Sequence, residues 1–342
     1  SRDMAVINKH LEWANRYKID QFICSWWGVD SYEDNTIKDY LLQSTKLENV
    51  TIALLYESIS LIGRDSEGDI SFGSNETEKL ISDFEYIAET YFDNPHYLKM
   101  DGKPVVYVYV TRIFAGAFTD AFATLRSTIQ DKYGYELYLV GDEIFWQPEP
   151  NLIHIQTFDA VTAYNMHGPS RYEGYPDDSQ FLLNVEDSYL MWQSAAEEYG
   201  VDLIPGIMPA FNDRAVRLEA DHYAIPHELN ANLDGSGQYS TFWESLQMAS
   251  RVIQQSTTNS PKTIMITSFN EWHEDTNIEL TLLDVQASDK PELYTEGYTY
   301  QAYGFQLLEM IPTFKLGGGG SDDSDPFSCI CATLFRKLLF WL

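Results

Sequence analysis

Short apolar runs alternate with longer amphipathic segments along most of the chain. The runs are rich in β-branched and aromatic residues, as are strands buried on both faces of a sheet. The segments between them repeat apolar positions at helical spacing. We predict strands at residues 20–28, 50–56, 104–110, 136–140, 160–164, 202–207 and 264–267. Helices are predicted at residues 4–17, 36–44, 76–91, 117–133, 182–199, 241–255 and 300–310, and long loops at 58–73 and 218–239.

This order of strand and helix predicts a parallel sheet with helical crossovers. Polar and aromatic residues follow the carboxyl ends of the strands, which is typical of a (β/α)8 TIM barrel. An open doubly wound sheet is the alternative, but no Gly-x-Gly-x-x-Gly turn follows any predicted strand. A barrel needs eight strands, and the chain begins directly with a helix. We therefore expect the first strand to lie upstream, missing from this chain; an open barrel with an exposed edge is the other explanation.

The composition changes after residue 315, where we place the end of the barrel domain. Residues 316–342 combine a glycine run, an acidic run and a short apolar tail that is interrupted by Arg336 and Lys337. The tail is shorter than the roughly 20 apolar residues that span a bilayer. We expect a tether, a sorting remnant or a cloning feature that stays out of the barrel core, and a membrane partner only through this tail.

The formal net charge is -30, which argues against nucleic acid or an anionic membrane surface as a partner. It suits a neutral or cationic ligand, or a protein that stays soluble in a crowded exterior. Cys24, Cys329 and Cys331 form neither a disulfide framework nor a zinc spacing. Sequons at Asn49 and Asn75 favour an extracytoplasmic location, such as secreted, periplasmic or in a Golgi-like lumen.

The stretch 263–279 carries the strongest chemical signal. A buried strand ends there in Asn270, Glu271, Trp272, His273 and Glu274. Polar groups at the end of a buried strand are costly unless they are used. Two carboxyl groups three positions apart, beside an indole, suit the cleavage of a glycosidic bond, with one group protonated and the other ionised. A solvated loop pair is the plainer interpretation.

Other strand ends supply candidate sugar-binding residues. The candidates are Trp26, Trp27, Tyr56, Glu57, Asp142, Tyr164, Asn165 and His167, together with Asn270, Trp272 and His273. At least one of the two tryptophans is expected to stack on a sugar ring, although either could belong to the core. We expect His273 to orient the glutamates rather than to react. No metal ligand cluster is visible, and no cofactor is expected.

Together these pieces resemble glycoside hydrolase family 99, the endo-acting α-1,2-mannosidases and mannanases. The matching motifs are Ser1-Arg2-Asp3, residues 24–28 (CSWWG), 101–106 (DGKPVV) and above all 268–274 (SFNEWHE). The resemblance covers about residues 1–314. The family has a tyrosine-rich first strand upstream of this point, which fits the expected missing strand. Asp275 stands where the family usually has glycine.

The resemblance implies a retaining, endo-acting hydrolase of α-mannosidic linkages in mannan or N-glycan-type oligosaccharides. In that family the 2-hydroxyl of the substrate attacks the anomeric carbon and gives a 1,2-anhydro sugar. Glu271 would be the base for this hydroxyl, and Glu274 the acid and then the base for water. Two alternatives stay open: a glycosyltransferase-associated barrel protein of polysaccharide biosynthesis, and a non-catalytic glycan-binding barrel. The sequence does not distinguish glucose from mannose before the cleaved bond, and it gives neither substrate length nor oligomeric state.

Overall fold

Helices and strands alternate along most of this computed structural model, whose described part comprises residues 2–144, 151–166, 178–213, 217, 225, 227, 240–257, 262–281, 303–314 and 328–333. The helices are α1 Met4–Tyr17, α2 Tyr32–Asp39, α3 Ser58–Leu61, α4 Ser74–Tyr91, α5 Phe118–Tyr133, α6 Leu152–Thr157, α7 Asp178–Glu198, α8 Thr241–Gln255 and α9 Gln306–Thr313. The strands are β1 Gln21–Trp26, β2 Thr51–Tyr56, β3 Ile70–Phe72, β4 Lys99–Met100, β5 Lys103–Val108, β6 Phe114–Gly116, β7 Tyr138–Asp142, β8 Ala160–Thr162, β9 Asp202–Ile204, β10 Gly206–Ile207, β11 Thr263–Thr267 and β12 Ser328–Thr333.

The main sheet closes into a barrel of parallel strands. Its order is β10-β11-β12-β1-β2-β5-β7-β8-β9, and each pairing along this path is parallel. Only Pro205 separates β9 from β10, and the Pro205 carbonyl accepts a hydrogen bond from Met265 N at 3.0 Å. β9 and β10 are thus one interrupted strand that pairs with β8 on one side and with β11 on the other. The two ends of the path meet there, which gives the eight strand positions of the predicted (β/α)8 fold.

Side chains along each strand alternate between the barrel interior and the surrounding helices. Ile23, Leu55, Tyr107, Val140 and Met265 come from five different strands, and they line one interior cavity. The residues between them pack in a separate outer core against the helices. This alternation decides which residue at the end of each strand reaches the mouth of the barrel.

The structure differs from the prediction between β1 and β11. Ser328–Thr333 forms β12 there and pairs in parallel with both neighbours. The expectation that residues 316–342 stay out of the barrel is therefore wrong for these six residues. We expected an upstream segment to supply the missing strand, but β12 occupies that position. The uncharged run SCICAT suits a strand, but a partner so distant in sequence leaves no local signal.

Removing β12 is expected to abolish most of the stability of the barrel. A chain ending at Phe314 leaves β1 and β11 with unpaired edges, and each lost backbone hydrogen bond costs about 1 kcal/mol. Several such losses approach the roughly 5–15 kcal/mol that stabilise a typical domain. Urea unfolding measures the effect, with a chain ending at Thr333 as the control. Equal stability of the two shortened chains would contradict the role of β12.

Two shorter segments also differ from their predictions. Residues 58–73, predicted as a loop, contain α3 and β3, and β3 pairs with β6. A three-residue strand with a distant partner carries too few positions to show a period. Helix α2 begins at Tyr32, before the predicted residue 36, because Ser31 Oγ caps it by accepting from Asp34 N at 3.0 Å.

Candidate functional site

A closed turn after β11 carries both glutamates to the mouth of the barrel. Ser268 N donates to the Thr276 carbonyl at 2.8 Å, and Ser268 Oγ accepts from Glu271 N at 2.8 Å. Asp275 adopts φ 55°, a left-handed conformation that aspartate tolerates better than most residues. The Asp275 carboxylate also lies 3.1 Å from His227 Nε2. The turn therefore keeps a glycine-compatible backbone although aspartate occupies the position.

Glu271 is buried, and His273 holds its carboxylate. Glu271 Oε1 accepts from the backbone N of His273 at 3.1 Å and lies 3.1 Å from His273 Nδ1. The carboxylate accepts a hydrogen bond from the tautomer of His273 that carries its proton on Nδ1. Nearly half of the His273 side chain is exposed, whereas that of Glu271 is 2% exposed. The orienting role of His273 stays a prediction, and the contact with Glu271 is the feature on which it depends.

Glu274 is largely buried beside a guanidinium. Its Oε1 atom accepts from Arg217 Nη1 at 3.1 Å. Burial raises the pKa of Glu274, the Arg217 charge acts against this rise, and the Glu271 charge adds to it. The two glutamates therefore occupy different environments, as an acid and a base in one site require.

Two tyrosines from other strands lie near enough to these glutamates to feel their charge. Tyr164 follows β8 and Tyr109 follows β5, and their rings make an edge contact with centroids 5.3 Å apart. Burial and the charges of Glu274 and Glu271 raise the pKa of Tyr164 well above its ordinary value. Burial, Asp142 and Glu57 raise the pKa of Tyr109. Both hydroxyls stay protonated and can donate hydrogen bonds to a ligand.

Trp27, Ser25 and Glu57 form the side of the mouth that belongs to β1 and β2. Trp27 Nε1 donates to Ser25 Oγ at 2.8 Å, and the Ser25 hydroxyl donates to Glu57 Oε1. Trp27 is partly exposed, while Glu57 is buried. The predicted positions of Trp27 and Glu57 are thus compatible with sugar contact.

Trp26 and Tyr56 lie in the outer core, so the prediction that they line the groove is wrong. Both are fully buried, and their rings stack with centroids 6.0 Å apart. Trp26 Nε1 donates to Asp34 Oδ1 at 2.8 Å, and the Tyr56 hydroxyl donates to Asp83 Oδ2 at 2.9 Å. Each residue is adjacent to an inward-facing one and therefore points to the helices.

Asp142 supports the site instead of binding sugar, which corrects its prediction. Its Oδ1 atom accepts from Tyr164 N at 2.8 Å. Its Oδ2 atom accepts from Val110 N at 3.0 Å and from Arg112 Nη1 at 3.1 Å. This buried carboxylate ties the ends of β5 and β8 together. Asn165 follows the inward-facing Tyr164 and lines a small cavity against α7, so the structure does not bring it into the site.

The remaining predicted residues lie at the rim or beyond the described part of the chain. Trp272 is 62% exposed, and Asn270 is partly buried beside Glu271. His167 lies outside the described residues. In the ranges that the structure describes, no group of three or more histidine, cysteine, aspartate or glutamate side chains could hold a metal ion. No helix in these ranges is long and apolar enough to cross a membrane.

The sequence prediction missed Tyr109 and Arg217. Tyr109 stands two positions after the interior residue Tyr107 and shares its face of the strand, but the sequence does not show which face is the interior. Arg217 lies in a stretch without periodicity, and nothing local links it to Glu274. Only the fold brings Arg217 and Glu274 together.

Substitutions at the two adjacent tryptophans are expected to have different effects on stability. Trp26→Ala removes a fully buried indole and its hydrogen bond, at a cost of about 3–5 kcal/mol. Trp27→Ala removes a partly exposed ring and one hydrogen bond, at a cost of about 1 kcal/mol. Denaturant unfolding of both variants measures the difference. A larger loss for Trp27→Ala would contradict the orientation of β1.

Comparison with known sequences supports one family. Residues 1–296 match the sequence profile of Glycosyl hydrolase family 99. A curated mouse relative, glycoprotein endo-alpha-1,2-mannosidase of Mus musculus, is 23% identical over an alignment of 318 positions, and the match covers 86% of this chain. The matched region spans 60% of the length of that relative.

Solved structures share the fold. A glycoside hydrolase-like protein superposes with a TM-score of 0.68 at 22% identity, over 91% of this chain and 85% of the other. An endo-alpha-mannosidase of the same family from Bacteroides thetaiotaomicron superposes with a TM-score of 0.60 at 18% identity, over 91% of this chain and 83% of the other. At these identities the likeness shows the barrel fold.

Proposed function

This chain belongs to glycosyl hydrolase family 99, and on that basis we propose that it is a retaining, endo-acting glycoside hydrolase of α-mannosidic linkages. The substrate class is mannan or N-glycan-type oligosaccharide. The mouse relative and the bacterial structural neighbour are both described as endo-acting α-mannosidases, which supports this class. The net charge of -30 fits a neutral glycan better than a polyanion.

One observation carries the proposal: two neighbouring carboxyl groups at the barrel mouth have different surroundings. The Glu271 side chain accepts a hydrogen bond from the backbone N of His273 and lies 3.1 Å from His273 Nδ1, and we assign Glu271 as the base. Glu274 lies largely buried with a raised pKa, which suits an acid that starts protonated. A glycan-binding barrel without activity would not need this difference.

In the first step, Glu271 takes the proton of the substrate 2-hydroxyl as its oxygen attacks the anomeric carbon. Glu274 gives its proton to the leaving oxygen, and the glycosidic bond breaks. The product is a 1,2-anhydro sugar and a shortened glycan. The substrate hydroxyl thus takes the place of a carboxylate nucleophile.

In the second step, Glu274 takes a proton from water as the water oxygen attacks the anomeric carbon. The bond from this carbon to the 2-oxygen breaks, and the 2-oxygen recovers its proton from Glu271. We propose that Tyr109 and Tyr164 donate hydrogen bonds to the sugar at the cleaved bond. Trp27, Glu57 and Trp272 form the proposed walls of the groove.

The proposal is tested by product analysis of an α-1,2-branched mannan after incubation with the full chain. We expect released disaccharides or longer fragments in the mass spectrum, because an endo-acting enzyme cleaves inside the chain. Release of mannose alone would indicate an exo-acting enzyme. Binding by calorimetry without any release would instead indicate a non-catalytic glycan-binding barrel.

A further inference from the structure

A bridge of three charged side chains connects the proposed acid to the segment after β10. Arg217 Nη1 donates to Glu274 Oε1 at 3.1 Å and to Asp213 Oδ2 at 2.7 Å. The Asp213 side chain is 1% exposed, the Glu274 side chain 13% and the Arg217 side chain 41%. When a guanidinium donates hydrogen bonds to two carboxylates, both bonds fix its orientation. Arg217 therefore tethers Glu274 to a buried anchor.

The backbone already fixes where these two segments meet. Asn212 N donates to the Glu274 carbonyl at 2.8 Å, and Arg217 N donates to the Asp213 carbonyl at 2.8 Å. Neither bond uses the Arg217 side chain, so the turn does not depend on the guanidinium for its position. The guanidinium acts on the direction and the charge of the Glu274 carboxyl group.

We propose that Arg217 is a positioning residue that aligns Glu274 and balances its charge, with Asp213 holding Arg217 in place; this rests on the proposed function. Glu274 gives a proton in the first step and accepts one in the second. An acid that serves both steps works best when neither protonation state is strongly favoured. Arg217 supplies the positive charge that lets the buried Glu274 release its proton.

The charged groups around Glu274 shift its pKa in opposite directions. The charged and titratable groups facing it from the neighbouring elements are Arg217, Asp213, Glu271, Tyr109 and Tyr164. Burial raises the pKa of Glu274, and Glu271 and Asp213 act in the same direction. Arg217 lowers the pKa of Glu274 both by its charge and by its hydrogen bond. Changes to Arg217 and to Asp213 should therefore have opposite effects.

The test compares the pH dependence of kcat/KM in three variants. Arg217→Gln should move the basic limb, which reports the proposed acid, to higher pH by about 1 unit, because the counter-charge is lost. Asp213→Asn should move it to lower pH, because Arg217 is then no longer neutralised. Arg217→Lys keeps the positive charge and should restore most of the wild-type position.

A titration without substrate separates this proposal from the proposed function. ¹³C NMR of the glutamate carboxyl groups gives the pKa of Glu274, identified by the signal that Glu274→Gln lacks. An inactive wild type would overturn the proposed function, while the titration would still decide the role of Arg217. Opposite shifts in Arg217→Gln and Asp213→Asn support the proposal. An unchanged pKa in Arg217→Gln, or no restoration by Arg217→Lys, overturns it, even if Asp213→Asn fails to fold.

Discussion

Glu274→Gln is expected to lower kcat/KM on mannan by about 10³-fold, within the range that proton transfer by a positioned side chain contributes. Glutamine keeps the size of the side chain and can still accept from Arg217, but it carries no proton to give to a leaving sugar oxygen. Nor can it activate water in the second step. Steady-state kinetics on a defined α-mannooligosaccharide measure the loss.

A substrate whose leaving group needs no protonation makes this prediction specific. With a glycosyl fluoride, the first step no longer depends on an acid, because fluoride leaves as an anion. We expect the loss of kcat/KM in Glu274→Gln to be much smaller for fluoride release than for mannan, because this constant reports the first step and not the later attack of water. An equal loss of kcat/KM on both substrates would contradict the role of Glu274 as the acid.

Glu271→Gln is expected to lower activity by a similar factor, about 10³-fold, on both kinds of substrate. The proposed base acts on the 2-hydroxyl, and this hydroxyl must attack whatever the leaving group is. A better leaving group should therefore not restore activity. Parallel kinetics of the two variants on mannan and on the fluoride distinguish base from acid. Substantial recovery of Glu271→Gln on the fluoride would contradict the assignment.

Glu279→Gln serves as the matched control for both variants. Glu279 is another buried glutamate of the segment after β11, and it pairs with His10 Nε2 at 2.7 Å, outside the proposed site. Its substitution should leave kcat/KM within a few-fold of the wild type, although stability should fall by about 1–3 kcal/mol. A loss of activity as large as that of Glu271→Gln would indicate a general effect of disturbing this segment.

The elements of the barrel could be predicted from sequence because each strand is a dense apolar run and each helix has its own period. Glu271 and Glu274 could be found for the same reason, since they interrupt such a run. Trp26 and Tyr56 were misplaced because strands buried on both faces give no hydrophobic signal for which side is the interior. The folded barrel shows which side is the interior. Ile23 and Leu55 line the interior cavity, so Trp26 and Tyr56, which lie an odd number of positions along the same strands, face the helices.

The other differences arise from contacts between distant parts of the chain. Strand β12 pairs with β1 across most of the sequence length and with β11 across a shorter but still non-local separation, and a local pattern cannot show either pairing. The same holds for Arg217, which lies 57 positions from Glu274. Asp142 is a residue type that often binds sugar hydroxyls, but its carboxylate accepts hydrogen bonds from the backbone N atoms at the ends of two strands.

The most direct test of the proposed mechanism is the anomeric configuration of the first product released from an α-1,2-branched mannan. ¹H NMR of the reaction with the full-length chain, recorded before mutarotation, shows the new reducing end directly. We expect an oligosaccharide whose new reducing end is α-configured, because two successive displacements at the anomeric carbon retain its configuration. A β-configured product would contradict the proposed route through the 2-hydroxyl, and the absence of any new reducing end would contradict the hydrolase itself.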